Sequence, residues 1–141
     1  MAADHVTVEI VRFADFTPQI EQIRRTVFIV EQGFPESLEW DDLEHDSWHC
    51  LARCNDQPAG TGRLQTDGKI TRIAVLESWR KRGIASRILE QLLDTATQNG
   101  LTNLYLNAQV TAVSLYEKYG FIQHGKPFDE GGIEHIRMVR P

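Results

Sequence analysis

Apolar and polar residues alternate over Val6 to Phe13 (VTVEIVRF), the period-two pattern of a strand with one buried face. Ile20, Ile23, Val27, Phe28 and Val30 then recur at near-helical spacing. With Thr17 as N-cap and Pro18 at the first helical position, they predict an amphipathic helix from Pro18 to about Gln32, ended by Gly33 and Pro35. Glu36 to Asp46 has no period and predicts a loop with at most a short helical turn. Ser47–Cys54, Ala59–Gln65 and Lys69–Leu76 predict a meander of strands joined by the turns NDQP and TDGK. Helical period returns with Ile84, Ile88, Leu89, Leu92, Leu93 and Ala96, until Asn99-Gly100 closes the helix. Leu101–Asn107 predicts a strand and Thr111–Tyr119 a helix stopped by Gly120. Phe121–Phe128 and Ile133–Val139 predict two antiparallel strands. The order suits an α/β (α+β) fold, a mixed, mostly antiparallel twisted sheet flanked by helices.

Composition narrows the setting. The 141 residues fit one domain, residues 1–141, with no repeat, low-complexity run or Pro/Gly-rich linker to mark a boundary. A net charge of −5 argues against a broad basic face for nucleic acid, so any anion site must be local. The amino terminus MAADHVTVEI has no basic segment followed by an apolar core, and no apolar run approaches the ~20 residues that span a bilayer. The expectation is a cytoplasmic protein without membrane or nucleic-acid partners. Cys50 and Cys54 fall on one face of a strand, roughly 13 Å apart at ~3.3 Å per residue, too far for a disulfide. His45, His49, Cys50 and Cys54 match no zinc-ligand spacing, and no metal is expected.

Against this acidic background, Trp79 to Ala85 (WRKRGIA) sets Arg80, Lys81 and Arg82 beside Gly83, where a strand hands over to a helix. Free N–H groups and the dipole at a helix start favour phosphate, and a glycine lets backbone approach the ligand. Neither G-x-x-x-x-G-K-[ST] nor a strand-borne G-x-G-x-x-G is present, which leaves a pyrophosphate-bearing cosubstrate of another kind or a solvated helix start.

Ile73-Ala74-Val75, then Arg80, Gly83 and Ala85, spell I-A-V-x-x-x-x-R-x-x-G-x-A, which resembles the coenzyme A motif of the GNAT family of N-acetyltransferases. Ala85 stands where many members carry glycine. Ala112 to Phe121 (AVSLYEKYGF) is similar to the family's A-x-x-x-Y-x-K-x-G-F element. Arg24-x-x-Val27-Phe28-x-x-Glu31-Gln32, the acidic Glu39-Trp40-Asp41-Asp42 and Gly132-Ile133-Glu134-His135 look like a small bacterial subgroup with an R-x-x-V-F-x-x-E-Q helix.

The resemblance implies an acetyl-CoA-dependent N-acetyltransferase that moves the acetyl group by direct attack to a primary amine of a small molecule or peptide. It implies that backbone N–H groups from Arg82 through Gly83, Ile84, Ala85 and Ser86 cradle the pyrophosphate, with Arg80 and Lys81 adjoining. It further implies that the edge at Ile73, Ala74 and Val75 pairs with the pantetheine arm, and that an N–H near Val75 polarises the thioester carbonyl. Asn107 belongs to the same cosubstrate site. Tyr116 matches the family tyrosine that protonates the departing thiolate. Glu31 borders the acceptor site and is the first candidate for the base, with Asp41, Asp42 and His135 as rivals. Phe28, Gln32, Asp41 and His135 complete the expected acceptor site. The acidic loop reads either as a solvated surface segment or as an attractor of a cationic amine. The competing reading is a catalytically silent acyl-CoA-binding or sensing module, and the sequence leaves monomer and homodimer open.

Overall fold

A computed structural model of the chain describes residues 4–141. Strands β1 (Val6–Val11), β2 (Trp48–Cys54), β3 (Gln57–Leu64) and β4 (Ile70–Val75) form an antiparallel sheet in that order. Strands β5 (Leu104–Gln109), β6 (Ile122–Glu130) and β7 (Ile133–Arg140) form a second antiparallel sheet, with β7 in the middle. The helices are α1 (Phe13–Arg24), running into a π-helical segment (Arg25–Glu31), then α2 (Glu36–Glu39), α3 (Ile84–Gln98) and α4 (Val113–Glu117).

Strand alternation divides the core. In β2, Cys50, Ala52 and Cys54 face α3, whereas Leu51 faces Ile20, Ile23, Val27 and Phe28 of α1 and the π-helical segment. The first sheet is thus sandwiched between α3 and the amino-terminal helix. The apolar stripe of α3 can approach closely because β3 carries glycine beneath it. A Cβ on Gly62 would lie 2.7 Å from Ile88 Cγ2. Leu104, Leu106, Ala108, Ile136 and Met138 extend the same core into the second sheet. Cys50 and Cys54 are free and buried, and burial pushes the Cys50 thiol up to about 12, an unreactive state.

Several boundaries differ from expectation for local reasons. The first helix begins at Phe13 rather than Pro18. It kinks at Phe16 (φ −133°, ψ 24°), and Pro18 follows the kink, where its missing N–H matters least. Thr17 Oγ1 donates to the Phe13 carbonyl at 2.6 Å and does not cap. Beyond Arg24 the spacing widens, with Gln32 N–H donating five residues back to the Val27 carbonyl at 3.1 Å. Strand β5 starts at Leu104 because Leu101 N–H still closes α3 on the Ala96 carbonyl at 2.9 Å. The Thr111–Tyr119 helix is shorter than predicted, a 3₁₀ turn (Val110–Ala112) leading into α4.

The sheets meet at one place. Lys69 and Tyr105 form a parallel bridge, and Tyr105 N–H donates to the Gly68 carbonyl at 3.2 Å. Among the described residues no further pairing joins β4 to β5, so their carboxyl-terminal halves flank a gap.

Candidate active site

The gap is built from the end of β4. Leu76 N–H donates to the Ala59 carbonyl of β3 at 2.8 Å, so strand alternation turns the N–H and C=O of Val75 away from β3. The Val75 carbonyl accepts a hydrogen bond from Arg80 Nε at 2.8 Å. The same guanidinium grips both oxygens of Glu31 at 2.5 and 2.7 Å. Arg80 thereby ties the end of the π-helical segment to the end of β4, and its hydrogen bonds hold the Glu31 carboxyl below the usual carboxylate range.

Helix α3 opens immediately afterwards. Gly83 is its N-cap with φ 77°, Lys81 also has a positive φ of 63°, and no side chain caps the helix. Its first internal bond runs from Arg87 N–H to the Gly83 carbonyl at 3.2 Å, leaving the N–H groups of Ile84, Ala85 and Ser86 ahead of the helical ladder. A Cβ at Gly83 would meet no atom of the described residues within 4 Å, so the space a side chain would fill is open to a ligand on that side. Donor N–H groups, dipole and open approach together fit a pyrophosphate group.

The cations contribute less than the sequence suggests. Arg80 is committed to Glu31, while Arg82 pairs with Asp4 and lies 5.1 Å over the Trp79 ring. Among the described residues Lys81 alone of the trio has no ion-pair partner. The side chains of Ala74 and Ile84 belong to the core, so only their backbone can serve a ligand.

A cleft of about 410 Å³ lies in the gap, and Phe28, Gln32, Asp41, Ile73, Asn107, Tyr116 and His135 all line it. Glu31, Val75 and Arg80 to Ser86 do not. Tyr116, on α4, is held by edge contact with the buried Phe121, ring centroids 6.1 Å apart. Among the described residues its hydroxyl has no hydrogen-bond partner, and burial pushes its pKa up to about 12. Gln109 Nε2 donates to Gln32 Oε1 at 2.8 Å, a link between β5 and the end of the π-helical segment. His135 is buried, and its Nδ1 lies 2.7 Å from the Ile133 carbonyl. Since a carbonyl only accepts, Nδ1 carries the proton and Nε2 faces Glu130 Oε2 at 3.5 Å.

Most of the acidic loop is exposed, as a solvated segment would be, but two of its glutamates turn inward. Glu39 and Glu44 are buried among Arg24, Arg63 and Arg72, with Arg24 Nε to Glu39 at 2.7 Å and Arg63 Nη1 to Glu44 at 2.7 Å. Asp41 accepts from both terminal nitrogens of Arg63 at 2.9 Å, which with the Leu43 N–H outweighs desolvation and holds its pKa down to about 2. Glu39, Asp41 and Glu44 are thus partners of arginines, while Glu36, Asp42 and Asp46 stay exposed. Arg63, Lys69, Arg72 and Glu130 also line the cleft and were not singled out from the sequence. Arg63 and Arg72 sit inside strands whose apolar alternation hides them, and pairing with loop residues 22 and 33 positions earlier leaves no local signature.

Strand order, the uncapped helix after β4 and a tyrosine at the cleft are the features that the GNAT resemblance implies. The family model described as Acetyltransferase (GNAT) domain matches residues 13–140, and the chain belongs to that family of acyltransferases. YjcF of Bacillus subtilis, whose name calls it an uncharacterized N-acetyltransferase, is 36% identical over 122 residues, covering 84% of this chain and 87% of YjcF. The crystal structure of Escherichia coli ElaA superposes with a TM-score of 0.87 at 25% identity, over 97% of this chain and 100% of that one. An acyl-CoA N-acyltransferase from Pseudomonas aeruginosa gives 0.83 at 29% identity, over 99% and 100%.

Proposed function

We propose that the chain transfers the acetyl group of acetyl-CoA to a primary amine. The observation that carries this reading is the outward-facing Val75 N–H, two residues past the cleft-lining Ile73 and followed by the uncapped start of α3, together with the cleft-lining Tyr116, whose hydroxyl has no hydrogen-bond partner among the described residues. Acetyl-CoA supplies an acetyl group activated as a thioester. The Val75 N–H is directed to donate to the thioester carbonyl oxygen, a contact typically worth about 10² to 10³ in rate. Ile84, Ala85 and Ser86 present N–H groups to the pyrophosphate.

Direct attack forms the C–N bond as the C–S bond breaks, so two protons must leave the nitrogen, one from the ammonium before attack and one to solvent from the N-protonated adduct, and negative charge must be met on sulfur. Tyr116, with its pKa raised to about 12, keeps its proton across the neutral range and donates a hydrogen bond to the departing sulfur. Full transfer from so weak an acid to a thiolate of ordinary pKa, about 8.5, is uphill, so Tyr116 stabilises the leaving group and solvent completes the protonation. Glu31 and Asp41 are poorly suited as bases, since arginine holds each one ionised. His135 Nε2, which lies at the cleft 3.5 Å from Glu130 Oε2 and is not committed to an arginine, is the better placed acceptor for the ammonium proton. Calorimetric binding of acetyl-CoA combined with thiol release across an amine panel tests the reading. Release that depends on an amine supports transfer, whereas binding without release on any amine supports a silent module.

A further inference from the structure

The charges lining the cleft do not all cancel within the protein. Arg63 spends its guanidinium on Asp41 and Glu44, and Arg72 donates to the Glu39 carbonyl at 2.9 Å and lies 3.4 Å from the Glu39 carboxylate. Two groups remain, one of each sign. Lys69 is half-buried, and among the described residues it has no ion-pair partner within 4.0 Å. Arg63, Arg72 and Arg137 add positive field around it, and burial holds its pKa below the usual lysine range, with Glu130 the opposing attraction. Its backbone is pinned where the two sheets join, since Gln65 N–H donates to the Lys69 carbonyl at 2.8 Å and Lys69 bridges Tyr105.

Glu130, at the end of β6, is the other group. Its carboxylate is substantially exposed, and among the described residues its one ion-pair contact within 4.0 Å is His135 Nε2, at 3.5 Å. Phe28, Phe34, Leu38, Ile70 and Leu106 provide the apolar lining of the same cleft. A half-buried ammonium in a positive surround is costly unless an anion meets it. An acceptor with amine charge alone would leave Lys69 facing a like charge.

We propose that the acceptor carries a carboxylate as well as its amine, the simplest case being an α-amino acid with an apolar side chain. Lys69 holds the carboxylate, and Glu130 with His135 receives the ammonium. The apolar lining takes the side chain. The proposal rests on the acetyl-transfer reading and narrows its substrate. Lys69 is a specificity residue here, acting by charge on a part of the acceptor that does not react.

The test is thiol release from acetyl-CoA with matched acceptors: phenylalanine against phenethylamine, and leucine against isoamylamine. The expected wild-type ratio of kcat/KM favours the amino acid by about tenfold to a hundredfold, the range of a hydrogen bond to a charged group. Lys69→Met should reduce that ratio to near one, and Lys69→Arg should restore part of it. A wild-type ratio at or below one, or a ratio that survives Lys69→Met, overturns the proposal and leaves acetyl transfer standing. No release with any acceptor overturns both. Should Lys69→Met fail to fold, the wild-type ratio and Lys69→Arg still decide.

Discussion

Arg80 clasps both carboxylate oxygens of Glu31, at 2.5 and 2.7 Å, while its Nε holds the Val75 carbonyl at 2.8 Å. Two residues that the sequence assigns to separate tasks, cosubstrate binding and proton removal, are one mechanical unit. The clasp fixes the strand end whose N–H faces the gap. Hydrogen bonding to Arg80 favours the ionised form of Glu31, so its titration lies below the range where the enzyme would be assayed. Glu31→Gln should therefore lower kcat/KM by loosening Val75 without moving either limb of the pH profile between pH 6 and 9. A limb that disappears in Glu31→Gln would restore Glu31 as the base.

Gly83 sits in the left-handed region with φ 77°, where a residue bearing Cβ pays about 1–2 kcal/mol. No atom of the described residues would obstruct the added carbon, so a larger side chain fills the approach to the α3 N–H groups. Gly83→Val is expected to weaken acetyl-CoA binding by tenfold or more by calorimetry. Lys81→Ala, removing an exposed charge, should weaken it by about twofold to fivefold. Equal losses would contradict the backbone cradle.

The network of Arg24, Glu39, Asp41, Glu44, Arg63 and Arg72 holds the α2 segment over the cleft. Arg63 is 1% exposed, and its removal takes a partner from the buried Glu44 and from Asp41. Arg63→Ala should cost about 3–5 kcal/mol, read as a lowered urea midpoint. The Asp41 pKa is depressed to about 2, so its contribution is present above the ordinary carboxylate pKa near 3.9 and is lost as pH falls toward 2. In Arg63→Met this loss of stability between pH 4 and 2 should shrink. An unaltered acid dependence would show that Asp41 gains nothing from Arg63.

Period alone revealed the succession of elements along the chain and the α3 stripe, because Ile84, Ile88, Leu89 and Leu92 each have a buried place on the sheet. The motif spelling around Arg80, Gly83 and Tyr116, not the period, led to the family that the chain belongs to. The wider π-helical turn after Arg24 was not legible, since Val27, Phe28 and Val30 suit either helix. Nor was the fate of the acidic loop, because a glutamate buried against a distant arginine and one in water are spelled alike. Glu31 and Arg80 were both marked as site residues, yet their mutual clasp depends on a contact 49 residues apart that spacing does not encode.

The account turns on what Tyr116 does at the gap. Tyr116→Phe keeps the ring packed on Phe121 and removes only the hydroxyl. Single-turnover acetyl transfer by the saturated variant is the most direct measurement. A fall of about 10² or more in the rate, with acetyl-CoA affinity changed only a few-fold, is the predicted result. A rate equal to wild type, with the chemical step shown to be limiting, would contradict it.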